Sequence, residues 1–290
     1  MKGTDTCGAQ PKPKDFQLCF CLGTLGHLDY ESQLKISKQA GWEAVGITIE
    51  GLEEYLAKGK TVEEAKALLE KNKLHPVEIL AFREWVYTKG KAQMEMLDRF
   101  RHLSKISAKL GCSVLLATTR CQGSHDDALA IENFKEICRI AAEDGNRVGF
   151  EFLPHTPIDT VKKAWDIVNE TRTPNGGIVL DSFHYLKGGS RLEDLKEVPI
   201  EKIFDVHIDD LKNVNPDVDL STLSRNYRVL PGEGDFVYDE ILEYLFERRY
   251  SGYYSLEVLN KDHSREDALK LAVRAKESLE RLLKGYAQKR

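Results

Sequence analysis

The chain has 290 residues, of which 41% are hydrophobic and 31% are charged, and its formal net charge is −5. This composition is typical of a globular protein with a large apolar core, and an acidic balance without any basic block argues against a nucleic-acid partner. We find neither a signal-peptide core nor an apolar stretch of about eighteen residues, so we expect a cytoplasmic protein without a membrane partner. The six cysteines include no Cys-x-x-Cys pair, and Cys19, Cys21 and Cys112 lie in apolar runs, which favours buried, reduced thiols.

Along the chain, residues 1–15 are predicted to be a flexible lead-in and residues 16–290 a single domain. Eight short apolar runs rich in β-branched or aromatic residues are typical of buried strands. They span 16–22, 43–49, 76–82, 112–119, 147–153, 176–183, 202–209 and 252–259. Segments with helical periodicity separate them, and the last one presents a single stripe made by Ala268, Leu271, Ala272, Ala275, Leu279, Leu282 and Leu283.

Strands that are apolar throughout and alternate with helices favour a parallel sheet covered by helices. Eight such units fill the chain, and no Gly-x-Gly-x-x-Gly motif follows the first strand, as a dinucleotide-binding sheet would require. We therefore predict an α/β fold, a single (β/α)8 barrel. The connection 211–236 is long and polar, and we expect it to lie over the carboxyl ends of the strands, where barrel active sites are found.

Four ionisable residues lie late in the last four apolar runs: Glu151, Asp181, His207 and Glu257. The barrel would bring them to one mouth, where unpaired ionisable groups are costly to bury. A divalent cation held by two glutamates, one aspartate and one histidine would satisfy all four. This mostly oxygen donor set favours Mn²⁺, with Mg²⁺, Co²⁺ or Zn²⁺ as alternatives. Each residue alone is also compatible with a hydrogen-bonded core polar group, so the prediction rests on the set.

Four segments carry a resemblance to a known family: "VLDSFHYLKGGSRLEDLK", "IFDVHIDD", "RVLPGEGDFVYDEIL" and "YYSLEVLN". They resemble the xylose-isomerase-like barrels, a superfamily of sugar isomerases, epimerases and related dehydratases, and within it the isomerases that act on keto-inositols. The similarity is sharp from about residue 147 onward, while the first half resembles the family only in its fold pattern. The resemblance implies that Glu151, Asp181, His207 and Glu257 are the metal ligands.

The resemblance also implies residues that bind substrate. His184 follows Asp181 by three residues, where the strand is predicted to break into a loop, and would face the substrate; the alternative is a histidine that caps a turn. Arg228 precedes a proline–glycine turn and would hold a substrate hydroxyl or carboxylate, with Arg225 as its competitor. His155, four residues after Glu151, is a further candidate.

Other polar residues near the predicted strand ends are left undecided by their spacing. Any of four residues after strands three and four could line the pocket: Arg83, Glu84, Trp85 and Arg120. Asp209 and Asp210 either support the site or begin the loop. Gly232 and Gly234 are expected to let that loop turn tightly, and Trp42 is interpreted as a packing residue.

These features predict a metal-dependent isomerase or epimerase of an unphosphorylated keto-cyclitol or keto-sugar. The metal would stabilise an enediolate, and Glu151 and Glu257 would transfer the proton. The alternative is a lyase on the same scaffold: an inosose or 3-dehydroshikimate dehydratase, or an enzyme that catalyses β-elimination from a 3-keto-glycoside. A metal-dependent endonuclease would need more histidines at strand ends and a basic surface, and a non-catalytic sugar-binding barrel would have no need of all four ligand positions. A homo-oligomer is left open.

Overall fold

The computed structural model describes residues 16–120, 126–212 and 217–288. The predicted lead-in 1–15 lies outside these residues. Eight parallel strands form a closed barrel, which confirms the predicted fold class. The barrel strands are β1 (Gln17–Cys21), β2 (Ala44–Thr48), β3 (His75–Phe82), β4 (Val114–Ala117), β5 (Arg147–Phe150), β6 (Gly176–Asp181), β7 (Ile203–Ile208) and β10 (Tyr253–Leu256). Every predicted apolar run contains one of these strands, and only His75 at the start of β3 falls outside its run.

Most helices cover the outside of the barrel and bury their apolar faces against it, whereas the short helix 220–226 belongs to the long connection after β7. They are α1 (Tyr30–Gln39), α2 (Ile49–Ala57), α3 (Val62–Asn72), α4 (Lys91–Leu110), α5 (Asp127–Glu143), α6 (Val161–Thr171), α7 (Ser182–Gly188), α8 (Leu192–Lys196), α9 (Leu220–Asn226), α10 (Asp239–Glu247) and α11 (Ala268–Gln288). The predicted stripe on α11 is buried at Leu271, Ala272, Ala275, Leu279 and Leu283. Across the described ranges, no helix is both long enough and apolar enough to cross a membrane.

The barrel closes between its first and last strands, since β1 pairs in parallel with both β2 and β10. Within the sheet, Asp181 of β6 is the register partner of His207 of β7. Glu151 and Glu257 each follow directly after the last residue of their strands, β5 and β10. The strand register therefore brings the four predicted ligands to the carboxyl end of the barrel. The thiols of Cys19, Cys21 and Cys112 are buried and free, as predicted.

The chain after β6 differs from the prediction of a loop. Helix α7 begins at Ser182, directly after the strand, because the carboxylate of Asp181 caps it: Asp181 Oδ1 accepts a hydrogen bond from the backbone N–H of His184 at 2.8 Å. The glycine-rich end of the motif terminates the helix, with Gly189 in the left-handed region at φ +73°. The prediction of a loop was wrong because the capping signal was not recognised.

The long connection after β7 is organised by the carboxylate of Asp210. It accepts hydrogen bonds from the backbone N–H groups of Gly232, Gly234 and Phe236 at 2.9, 3.1 and 3.0 Å. A Cβ atom at position 234 would lie 2.2 Å from Asp210 Oδ1, and Gly232 has φ +83°, so both glycines are required as predicted. The short strands β8 (Asp210–Leu211) and β9 (Arg228–Val229) pair antiparallel within the same connection.

Trp42 packs between the barrel and its helices, and we predict that it contributes strongly to stability. Its ring is fully buried and stacks on Phe20 at 4.8 Å, and its Nε1 donates a hydrogen bond to Ala272 O at 3.0 Å. Trp42→Ala should lower the free energy of unfolding by about 3–5 kcal/mol, measured by urea denaturation. Trp42→Phe should lose less, and wild-type stability in Trp42→Ala would contradict the packing role.

Candidate metal centre and active-site cavity

A cavity of about 620 Å³ opens at the carboxyl end of the barrel. Glu151 and Glu257 lie in its wall. The long connection forms one side through Asp219, Ser221, Ser224, Arg225 and Arg228, which confirms that this segment borders the site. The opposite side comes from the first half of the barrel and includes Thr48, Glu50, Arg83, Thr118, Thr119 and Arg120.

The four predicted metal ligands form one buried cluster. Each of Glu151, Asp181, His207 and Glu257 offers one ligand atom, and these atoms all lie within 4.8 Å of one another. His207 Nδ1 lies 3.5 Å from Glu151 Oε1 and 3.9 Å from Glu257 Oε2. Three carboxylates and one imidazole thus converge on a single point at the mouth of the barrel.

The cluster fits a divalent cation. Within the described ranges, Glu151 Oε1 and His207 Nδ1 are buried side-chain atoms with no hydrogen-bond partner. Leaving a buried polar atom unsatisfied costs about 1–3 kcal/mol, and an ion between these atoms would remove that cost for both. Carboxylate oxygens with one imidazole nitrogen are a common donor set for divalent ions. The residues present could therefore hold one.

Burial and neighbouring charges shift the protonation of this cluster. Burial raises the pKa of Glu151 to about 7. Burial also favours the neutral form of Asp181, but Arg228 and the neighbouring histidines outweigh it and lower the pKa of that carboxyl. Burial disfavours the charged imidazole of His207, yet the surrounding carboxylates, Glu78 foremost, raise its pKa well above the ordinary value. Protons and a metal ion would therefore compete for the same atoms.

Arg228 is buried beside the ligands, and each of its five N–H groups has a protein acceptor. Its Nη1 donates to Asp181 Oδ2 at 2.8 Å and to Glu257 Oε2 at 3.1 Å. Its Nε donates to Ser224 O at 2.7 Å, and its Nη2 lies 2.8 Å from Ser224 Oγ and 3.3 Å from His184 Nε2. The guanidinium therefore braces the carboxylates, while its predicted contact with substrate stays a prediction.

The two predicted substrate-binding histidines both line the cavity. His184 is buried, and burial lowers its pKa to about 3, so its ring is neutral at physiological pH. His155 is half-buried, and burial also lowers its pKa. Within the described ranges, neither Nδ1 atom has a hydrogen-bond partner. Both rings are thus available to a molecule in the cavity.

Residues around the site that the sequence left undecided now have positions. Arg83 and Arg120 line the cavity, whereas Trp85 is buried in the core and Glu84 forms an ion pair with Arg120 at 3.4 Å. Asp209 supports the site, because its Oδ2 lies 2.5 Å from Arg228 Nη1.

A buried carboxylate beside the candidate ligands was not predicted from the sequence. This residue is Glu78 of β3, and its Oε1 lies 2.9 Å from His207 Nε2. Its signal was a lone acid inside the apolar run "PVEILAF". Asp205 is a second buried acid, two residues before His207 on β7 and therefore on the same face of the strand.

An eight-stranded parallel barrel with a buried carboxylate–histidine cluster at its carboxyl end is the arrangement expected of (β/α)8 barrels that bind a divalent ion at the ends of their strands. The profile of the xylose isomerase-like TIM barrel family matches residues 34–284, and the chain belongs to this family. This confirms the family that the second-half motifs indicated.

Individual relatives are similar over most of the chain. An inosose isomerase of Halalkalibacterium halodurans is 28% identical over 88% of this chain and 93% of its own length. A 3-dehydroshikimate dehydratase of Pseudomonas aeruginosa is 30% identical, but over 57% of this chain and 26% of its own length. A crystal structure described as the IolI protein with a bound zinc atom superposes with a TM-score of 0.83 at 25% identity, covering 93% of this chain and 99% of the other.

We predict that Mn²⁺ stabilises the protein more strongly at pH 8 than at pH 6. Because the pKa of Glu151 is raised to about 7, its proton stabilises the metal-free folded state below the pKa of an unfolded glutamate. That contribution is lost as pH rises through about 7, where the carboxylate becomes free to bind an ion. Thermal unfolding with and without Mn²⁺ at both pH values measures the difference in Tm shift, and an equal shift at both would contradict the prediction.

Proposed function

We propose that this protein is a divalent-metal-dependent isomerase of a keto-cyclitol, similar in activity to the inosose isomerases. The observation that carries the proposal is the pair of glutamates in the cavity wall, Glu151 and Glu257, on strands that lie on either side of β7 and its His207. Inosose isomerases that match this chain over 93% of their own length support the substrate class.

A divalent ion held by Glu151, Asp181, His207 and Glu257 would act as a Lewis acid toward a carbonyl and its neighbouring hydroxyl. The oxygen-rich donor set favours Mn²⁺, and the zinc described for the related structure supports Zn²⁺ as the alternative.

Proton transfer is assigned to the two glutamates. In an α-hydroxyketone, the C–H bond at the hydroxyl-bearing carbon breaks and its proton passes to one carboxylate. A new C–H bond then forms at the former carbonyl carbon, while the hydroxyl proton moves to the former carbonyl oxygen. A carboxylate that holds an ion through one oxygen keeps its second oxygen free to take and return a proton.

The second glutamate is held in place by its neighbours. Cys21 Sγ donates to Glu257 Oε1 at 3.6 Å, and Arg228 Nη1 donates to Glu257 Oε2 at 3.1 Å. These contacts fix the direction of the Glu257 carboxylate toward the cavity. Neutral His184 and half-buried His155 are proposed to hydrogen-bond substrate hydroxyls. Arg228 is proposed to act indirectly: it holds Asp181 and Glu257 in place, and these residues orient the reacting end of the substrate.

The cavity wall supports a polyol substrate. Threonines at positions 48, 118, 119 and 156 line it, at or after the ends of three strands. Within the described ranges, the buried Thr118 Oγ1 has no hydrogen-bond partner. An unpartnered hydroxyl in a cavity wall is suited to a substrate hydroxyl, because pairing removes the cost of its burial.

A dehydratase is the second candidate. Arg225 and Arg120 line the cavity and are exposed there, so a substrate carboxylate, such as that of 3-dehydroshikimate, would find cations. Loss of water would begin with the same proton abstraction and end with expulsion of a β-hydroxyl. The similarity to 3-dehydroshikimate dehydratases supports this alternative.

Proton–deuterium exchange in D₂O distinguishes the two. Keto-inositols, ketohexoses and 3-dehydroshikimate are incubated with protein loaded with Zn²⁺ or Mg²⁺ and followed by NMR; Mn²⁺-loaded protein is assayed by product analysis because it broadens lines. Exchange of an α-hydrogen with formation of an isomeric ketone supports the isomerase, and alkene signals support the dehydratase. No conversion of any substrate by protein shown to bind metal would overturn the proposal.

We predict that Glu151→Gln and Glu257→Gln each lower kcat by a factor of about 10²–10⁴, because glutamine cannot carry the transferred proton. Metal content is measured in parallel to separate proton transfer from metal loss. Glu63→Gln is the control, since Glu63 is exposed on α3 and lies outside the cavity wall. A metal-loaded glutamine variant with full turnover would contradict the assignment of that residue.

Thr118→Val should lower kcat/KM for the keto-cyclitol by a factor of about 2–10, which corresponds to one neutral hydrogen bond. The side chains are similar in shape, so folding should be preserved. Thr171→Val is the matched control, because Thr171 is buried at the end of α6, away from the cavity. Equal kcat/KM for Thr118→Val and wild type would remove Thr118 from substrate binding.

A further inference from the structure

A second group of acids lies deeper in the barrel, beneath the proposed metal ligands. Glu78 of β3 and Asp205 of β7 are both fully buried, and neither lines the cavity. They approach His207 from the side of the ring opposite to Glu151 and Glu257. Because both are buried and neither belongs to the cavity wall, neither is placed to contact a substrate.

The two ring nitrogens of His207 have different surroundings. Nε2 lies 2.9 Å from Glu78 Oε1, which is hydrogen-bond distance. Nδ1 lies 3.5 Å from Glu151 Oε1 and has no hydrogen-bond partner within the described ranges. A neutral imidazole has one N–H group, and when Nε2 donates it to Glu78, the lone pair of Nδ1 faces the proposed ion.

We propose that Glu78 is a positioning residue, which holds His207 with Nε2–H toward the barrel interior and Nδ1 free to bind the divalent ion. The proposal rests on the metal centre of the proposed function, and it adds a residue from the first half of the barrel. A carboxylate behind a ligating histidine fixes the orientation of the ring and strengthens the nitrogen as a ligand.

Gly46 of β2 makes room for the Glu78 carboxylate. The two residues are register partners in neighbouring strands. A Cβ atom at position 46 would lie 2.9 Å from Glu78 Oε1 and 3.3 Å from its Cγ. A side chain at this position would therefore push the carboxylate away from His207, although Glu78 itself would be unchanged.

Asp205 does not substitute for Glu78. Its two oxygens accept hydrogen bonds from Ser255 Oγ at 2.9 and 2.8 Å, and its Oδ1 also accepts one from Val206 N at 2.7 Å. Its Oδ2 is 3.9 Å from His207 Nε2, beyond hydrogen-bond distance. Asp205 thus provides a control that is equally buried and also carries a carboxyl group but has no hydrogen bond to the ring.

The rival arrangement is a second ion. Glu78, Asp205 and His207 also offer ligand atoms within 4.8 Å of one another, and Glu78 Oε2 has no hydrogen-bond partner within the described ranges. Such an ion would need the Nε2 lone pair, which is not available when Nε2 carries the proton that it donates to Glu78. The stoichiometry of metal binding separates the two arrangements.

The test is titration of metal-free full-length protein with Mn²⁺ and with Zn²⁺, by calorimetry or competition with a chelating dye. We expect one equivalent in the wild type and an affinity weaker by about 10–100-fold in Glu78→Leu. Gly46→Ala should also bind more weakly than wild type, Glu78→Gln should lie between wild type and Glu78→Leu, and Asp205→Asn should stay close to wild type. Thermal unfolding of each metal-free variant establishes that it folds; if Glu78→Leu does not, Glu78→Gln and Gly46→Ala decide.

A second measurement follows the ring itself. In the Zn²⁺-loaded protein, ¹H–¹⁵N NMR should detect the Nε2–H group of His207 as a slowly exchanging signal, which is lost or exchanges rapidly in Glu78→Leu. Folded Glu78 variants with wild-type affinity would overturn the positioning role alone. Two equivalents in the wild type and one in Glu78→Leu would replace it with a second ion. A wild type that binds no divalent ion would overturn both this inference and the metal centre.

Discussion

Carboxylates at the mouth of the barrel repel one another, and only positive charge can hold them together in a buried place. Asp181, Asp209 and Glu257 all approach the Arg228 guanidinium. Glu257 approaches His207 from the neighbouring strand β10, and Glu151 approaches it from β5, on the far side of β6. The covalent chain and the strand register hold these side chains close together. Repulsion between the side chains is not enough to separate the strands. A divalent ion would add the positive charge that one arginine and one histidine do not fully provide.

The position of the four candidate ligands at strand ends explains why the sequence was sufficient to place them close together. Glu151, Asp181, His207 and Glu257 each stand near the end of a recognisable apolar run, and parallel strands in a barrel bring such ends to one side. Glu78 was overlooked because it stands in the middle of its run, where side-chain direction depends on barrel geometry and not on the pattern. The helix after Asp181 was overlooked because one carboxylate serves two purposes, as a cap for α7 and as a candidate ligand. The contacts of Arg228 depend on how the long connection after β7 folds. That segment has no hydrophobic periodicity from which its fold could be predicted.

The two halves of the barrel contribute differently to the site. The second half provides the candidate ligands and Arg228, which in the proposed function act at the reacting carbonyl. The first half provides the wall opposite the long connection, with Thr48, Thr118, Arg83 and Arg120 among its residues. Changes in that wall can alter which molecule fits without moving a ligand. This division is compatible with relatives that include both an inosose isomerase and a 3-dehydroshikimate dehydratase, since in the proposed function and its alternative the reaction begins with removal of a proton beside a carbonyl.

The carboxylate of Asp210 gathers three backbone N–H groups of the connection that carries Arg228. On the other side, the backbone N–H of Arg228 donates to Leu259 O at 3.2 Å, and Asn260 Nδ2 donates to Arg228 O at 2.8 Å. The segment that carries Arg228 is therefore held at two places: by Asp210 after β7, and by Leu259 and Asn260 after β10. Substitutions at Ser221 or Arg225 of α9 could therefore alter the wall of the cavity while the guanidinium of Arg228 keeps its place.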